Sequence, residues 1–116
     1  LPDGEALCHN DFHALNVIDN NGEYVIIDWD SAMIGDPAGD VAHTYLVSML
    51  MDEQLSAVYE KYSEQYLKKY IAATNMDRKR VEAWIPLHAT ILYVALSLNP
   101  TGDISVLRPF VEPLDT

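Results

Sequence analysis

Apolar and polar residues follow two rhythms along this 116-residue chain. Residues 15–18 and 24–27 are short, largely apolar runs rich in β-branched side chains, separated by Asp19-Asn20-Asn21-Gly22-Glu23. Asn-Gly between two such runs predicts a hairpin, because both residues tolerate the positive φ of a tight turn. Folding about that turn pairs Asn16 with residue 27 or 28, depending on loop type. From residue 36 the period lengthens to that of a helix. Asp36-Pro37 reads as an N-cap followed by proline at the first helical position, opening a helix to about residue 51. Val41, Tyr45, Leu46 and Met49 fall on one face of it. A second helix is predicted over residues 53–74, with Leu55, Val58, Tyr59, Tyr62, Tyr66 and Tyr70 as its apolar stripe. Tyrosines at this spacing are expected in the core, their hydroxyls at the rim. Asp77 can cap a third helix running towards residue 98, which Pro86 should kink or interrupt near Trp84 or Ile85. Asn99-Pro100-Thr101-Gly102 breaks the chain, and a short helix or loop over residues 104–111 closes it. A small hairpin followed by several helices is an α+β arrangement, read here as one domain over residues 1–116.

Composition narrows the class. A hydrophobic content of 49% suits a folded chain with a real core. The start, Leu1-Pro2-Asp3-Gly4-Glu5, has no basic segment of a secretory signal. The most apolar stretch, residues 84–98, is shorter than the roughly 20 residues that span a bilayer, so a buried helix and no membrane partner are expected. Cys8 is the only cysteine, which rules out an internal disulfide and fits a reducing cytoplasm; it is expected to be a small buried residue.

Charge is distributed unevenly. The net charge is −11, and residues 1–60 carry twelve acidic side chains and no lysine or arginine. Such a field repels phosphate backbones, so nucleic acid is not an expected partner. It favours bound cations, either a divalent metal or an amine-bearing substrate.

The candidate chemistry lies where the charge and the hairpin meet. Asp11 is followed five residues on by Asn16, and twelve beyond that by Asp28 at the end of the second β-prone run. Magnesium-assisted phosphoryl transfer needs a carboxylate to receive a hydroxyl proton, and an amide and a second carboxylate to hold the metal on the nucleotide phosphates. The hairpin brings Asn16 and Asp28 to its open end, and Asp11 lies in a loop that can reach the same point. His9 is expected to orient that loop by hydrogen bonding, His13 is ambiguous, and His43 and His88 are expected in helix packing or at the surface. Asp30 suits either a second metal, a cationic substrate or a simple exposed position. Asp19, Asn20 and Asn21 are assigned to turn chemistry.

These residues carry a family resemblance. His9-Asn10-Asp11 through Asn16, then Ile27-Asp28-Trp29, resembles the H-G-D-x-x-x-x-N and I-D-W or I-D-F pattern of the aminoglycoside phosphotransferase and choline kinase family. Gly35-Asp36-Pro37 and Asp40 resemble the G-D-P-x-x-D segment that follows in that family. The resemblance covers residues 7–42, about a third of the chain, and departs at Asn10, where glycine is usual. It implies a mostly helical C-terminal lobe of a protein-kinase-like fold, whose small hairpin carries Asp11 as catalytic base and Asn16 and Asp28 as metal ligands. Asp40 would brace the catalytic loop from a helix. It also implies ATP and Mg2+ as cofactors and a small-molecule hydroxyl as acceptor, as in aminoglycosides, amino alcohols or sugars. Trp84 and Tyr93 are expected to pack in the core rather than to line the acceptor pocket.

A kinase of this kind also needs a lysine on a strand and a loop over the phosphates. There is no G-x-G-x-x-G, no Walker motif, and no lysine before Lys61. The expectation is a fragment of a longer protein, lacking its N-terminal nucleotide-binding lobe and inactive or poorly active alone. Two other functions compete: a non-catalytic kinase-like binding module, and an iron site built from His9, Asp11 and His43 or His88.

Overall fold

The computed structural model describes residues 4–55, 61–98 and 105–111. It is α+β, with helices predominating over two separate two-stranded sheets. The first sheet joins β1 (Ala6–Cys8) to β4 (Met33–Gly35) in antiparallel register, Leu7 opposite Ile34. The second is the hairpin of β2 (Val17–Asn20) and β3 (Glu23–Ile26), with Val17 opposite Ile26. Its two-residue turn is Asn21-Gly22, at φ 53° and 90°; positive φ at both positions gives the strands the twist they need. The Asp19 carboxylate closes the turn by accepting from the Gly22 amide at 2.9 Å. Strand β4 was not anticipated: three residues between turn signals are too few to show a period.

Helix α1 (Pro37–Leu55) is the centre of the molecule, flanked by α2 (Tyr62–Thr74) and α3 (Arg78–Leu98). Ala38, Val41, Ala42, Tyr45 and Leu46 of α1 are buried against Leu67 of α2, Val81, Ile85 and Ala89 of α3, and Leu107 and Val111 near the C-terminal end. Leu107 closes a 3-10 turn, and Val111 ends the short helix α4 (Arg108–Val111). Full burial of one leucine such as Leu46 stabilises by about 1.5–3 kcal/mol. Thr44 and Ser48 are buried as well, so α1 hides more than one face. Gly39 lets α3 approach: a Cβ there would lie 3.1 Å from the Trp84 ring.

Three helical expectations need correction. Helix α1 runs to Leu55 rather than stopping near residue 51, because nothing between Met51 and Glu53 breaks a helix. Asp52 is instead the N-terminal cap of a later helix: its carboxylate accepts from the amides of Tyr62 and Ser63 at 2.8 and 3.1 Å and from the Ser63 hydroxyl at 2.7 Å. Helix α2 therefore begins at Tyr62, not Glu53, and Val58 and Tyr59 lie outside the described residues. Of the tyrosine stripe, Tyr66 and Tyr70 pack against the core, whereas Tyr62 in the first turn is exposed. Finally, Pro86 does not interrupt α3, which continues through it. An internal proline costs roughly 3 kcal/mol, and the burial of Val81, Ile85 and Ala89 on both sides of it is comparable in size. By length and composition α3 could cross a bilayer, yet this buried stripe packs on α1.

Tyr45 ties α1 to α2 through its hydroxyl, which donates to Glu64 at 2.7 Å. Burial, with Glu64 beside it, pushes that hydroxyl up to about 12, so it stays a donor.

The start of α1 is fixed by Asp36. Its carboxylate accepts from the Ala38 amide at 3.0 Å, the Arg80 guanidinium at 2.7 Å and the Trp84 indole at 3.1 Å, joining the cap of α1 to α3. Burial alone would raise its pKa, but those three donors outweigh burial and hold the carboxyl below its usual range. Asp36→Ala is expected to destabilise by about 2–4 kcal/mol at pH 7, from the lost cap and stranded donors. A depressed carboxyl stabilises above its unfolded pKa and loses that contribution as pH falls through the folded one. Urea titrations of both proteins should therefore show the gap narrowing below about pH 4; a constant gap would mean that the charge contributes nothing.

Candidate active site

The loop between β1 and the hairpin is held at three points. Asp40, in the first turn of α1, accepts from the backbone amides of His9 at 2.8 Å and Asn10 at 2.9 Å, one on each carboxylate oxygen. Buried His9 is the second. Its Nδ1 accepts from the Asp11 amide at 3.1 Å, so its proton sits on Nε2, which donates to the Ile27 carbonyl at 2.8 Å. The third is Asn10, whose φ of 66° turns the chain towards Asp11 while its side-chain amide donates to the Ser31 carbonyl at 3.0 Å.

Position 10 thus requires a left-handed backbone, which explains both the glycine of the resembling pattern and its replacement by asparagine. Asn10→Gly is expected to change stability by less than about 1 kcal/mol, whereas Asn10→Val should cost about 1–2 kcal/mol. Thermal melts of the two variants check this, and equal effects would contradict it.

Beyond Asp11, a 3-10 turn over Ala14–Asn16 is capped by His13, whose Nδ1 accepts from the Leu15 amide at 3.2 Å. Asn16 ends the turn and is buried. Its backbone carbonyl accepts from Ile27 at 2.9 Å, which extends the hairpin register by one pair and makes residue 27 its partner. Its side-chain amide donates to the Asp11 carbonyl at 2.8 Å and lies 3.5 Å from Asp11 Oδ2. With its nitrogen fixed there, Asn16 Oδ1 accepts nothing among the described residues. Asp28 follows Ile27 directly, at φ 61°, and its exposed carboxylate is also uncommitted among the described residues.

Asp11, Asn16 and the start of Asp28 therefore meet at the open end of the hairpin. Asp11 is itself half exposed, with Oδ1 3.6 Å from His13 Nε2 and 3.8 Å from His43 Nε2. Asp30 is exposed and engages nothing among the described residues. The iron arrangement is not assembled: both ring nitrogens of His9 are occupied, and no three His, Cys, Asp or Glu side chains converge as metal ligands among the described residues.

The sequence profile of the phosphotransferase enzyme family matches residues 1–84. The chain belongs to that family. Comparison with curated proteins and with solved structures gives no match. The matched span contains β1 to β4, α1, α2 and the Asp36–Arg80–Trp84 junction, so the family match covers every residue of the site described above.

One member of this neighbourhood was set beside Asp11 only in the iron alternative. His43 was expected in helix packing or at the surface; it does stack edge-on against His88, but its Nε2 also faces Asp11. The signal available was its spacing. Three residues after Asp40 on a helix is one turn further along the same face, and Asp40 already points at the loop.

Proposed function

We propose that this phosphotransferase moves the γ-phosphoryl group of ATP to a hydroxyl of a small molecule such as an aminoglycoside, amino alcohol or sugar. The observation that supports the reading is the contact of Asn16 with the half-exposed Asp11 at the hairpin end, where Asn16 Oδ1 is uncommitted among the described residues and the pairing of Asn16 with Ile27 sets the backbone of Asp28 next in line. Oxygen donors of this kind suit a hard cation such as Mg2+. Asn16 and Asp28 would hold Mg2+ on the nucleotide phosphates, where it supplies neutralisation of the charge on the transferring group. Asp11 orients the acceptor hydroxyl and takes its proton as the oxygen attacks phosphorus. Asp40 and His9 hold Asp11 on station without touching the reactants. The acidic first half of the chain favours acceptors that carry an amine.

The lysine and glycine-rich loop that grip the phosphates from above are proposed to come from sequence outside these 116 residues. Two features support that division: no lysine precedes Lys61, and Leu7, Ile18, Tyr24, Met33 and Ile34 leave apolar surface on the two sheets exposed. The test is transfer of label from γ-labelled ATP or GTP, with Mg2+, to a panel of amines, sugars and amino alcohols. The 116-residue chain should be assayed alone and joined to a nucleotide-binding lobe. Metal-dependent labelling of a hydroxyl by the joined protein is expected, with little by the chain alone. Absence of both labelling and Mg2+-dependent nucleotide binding in the joined protein would remove the reading.

A further inference from the structure

His43 Nε2 is shut away from solvent and has no hydrogen-bond partner among the described residues. Buried polar atoms are almost always bonded, so such an orphan calls for an explanation. Asp11 Oδ1 lies 3.8 Å away, and closing that gap to hydrogen-bond distance takes a shift of about 1 Å. We propose that His43 is a positioning residue for Asp11: its Nε2–H grips the carboxylate from behind while the acceptor hydroxyl approaches from the open side. This rests on the reading of Asp11 as proton acceptor.

The surroundings favour a neutral donor. Burial lowers the pKa of His43, and the carboxylates of Asp11 and Asp40, which raise it, do not overcome that effect; His13 adds to the lowering. His88, packed edge-on behind it at 5.7 Å, is likewise held down by burial. A neutral imidazole facing a carboxylate keeps its proton on the facing nitrogen, since the other tautomer would oppose two lone pairs. His43 thus steadies Asp11 without importing positive charge. In the transfer step the hydroxyl proton passes to Asp11, the new O–P bond forms as the bond to ADP breaks, and the His43 proton stays where it is. His13, the second imidazole near Oδ1, differs in that it also caps the 3-10 turn and touches Asn16, at 3.3 Å.

The test has two arms. In histidine-selective 15N labelling of the 116-residue chain, long-range correlations identify which ring nitrogen carries the proton. His43, assigned from His43→Gln, is expected as the Nε2–H tautomer, and Asp11→Asn should displace its resonances. An Nδ1–H tautomer, or signals indifferent to Asp11→Asn, would overturn the proposal. In the second arm, with the acceptor found by the labelling panel, His43→Leu is expected to lower kcat roughly 10- to 100-fold at unchanged KM for MgATP. His43→Gln, which restores an N–H donor, should recover most of that loss; equal losses in both variants would reduce His43 to packing. The spectroscopic arm needs no acceptor. An Asp11-dependent His43 signal, with neither labelling nor Mg2+-dependent nucleotide binding in the joined protein, would leave this contact standing and remove the phosphotransfer reading instead.

Discussion

Asp11→Asn is expected to lower phosphoryl transfer by roughly 10²- to 10⁴-fold, the range a positioned general base contributes, while leaving the fold almost untouched. The asymmetry follows from how Asp11 is held. Its backbone makes the structural contacts: the amide donates to His9 Nδ1 at 3.1 Å and the carbonyl accepts from the Asn16 side chain at 2.8 Å. Its carboxylate makes only long approaches, 3.5 Å to Asn16 and 3.6 and 3.8 Å to the two imidazoles, on a half-exposed side chain. Even a full ion pair of that length and exposure contributes no more than about 1 kcal/mol. An asparagine of the same shape therefore keeps the loop and removes only the ability to take a proton. Steady-state kinetics beside a thermal melt measure both halves. Retained turnover would take Asp11 out of the chemistry, and a large drop in melting temperature would show that the carboxylate is structural after all.

What could be read from the sequence divides along the same line between local and long-range interactions. The hairpin was legible because Asn21-Gly22 specifies its own turn, and the pairing of Asn16 with Ile27 then follows by counting. The cap at Asp36 was legible for the same reason: an acidic side chain before a proline bonds an amide two residues on, at Ala38. The other partners of Asp36 were hidden, because Arg80 and Trp84 are 44 and 48 residues away and only the packing of α3 on α1 brings them in. The start of α2 was hidden for a related reason: the carboxylate that caps it, Asp52, lies ten residues earlier in the chain. Strand β4 exists only because β1 lies beside it. At the site, Asp11, Asn16 and Asp28 could be named because they lie close in sequence on a loop and a hairpin. His43 was joined to Asp11 only in the iron alternative, with His88 as an equal choice, because its approach to Asp11 depends on where α1 sits.

Asp40→Asn is expected to do the opposite of Asp11→Asn: to damage stability and activity together, although Asp40 touches no reactant. Each of its oxygens accepts one backbone amide of the catalytic loop, His9 on Oδ2 and Asn10 on Oδ1. Asparagine offers one oxygen and one NH2, so whichever way the amide is turned, one loop N–H faces another donor. Hydrogen bonds to a charged acceptor contribute about 1.5–3 kcal/mol each, and the variant loses one outright while weakening the other. A loss of roughly 2–4 kcal/mol is expected, and for a chain of this size that lowers the melting temperature by about 10–20 °C. The same amides fix the turn at Asn10 and the His9 ring that donates to Ile27, beside Asp28. Release of this end of the loop should let Asp11 drift from the hairpin end, and a displacement of about 1 Å is enough to cost on the order of 10²-fold in turnover. Assays well below the lowered melting temperature separate the two effects. If turnover there returns to normal, Asp40 stabilises the fold without positioning Asp11; a loss that persists in the folded protein ties the N-terminal turn of α1 to the chemistry.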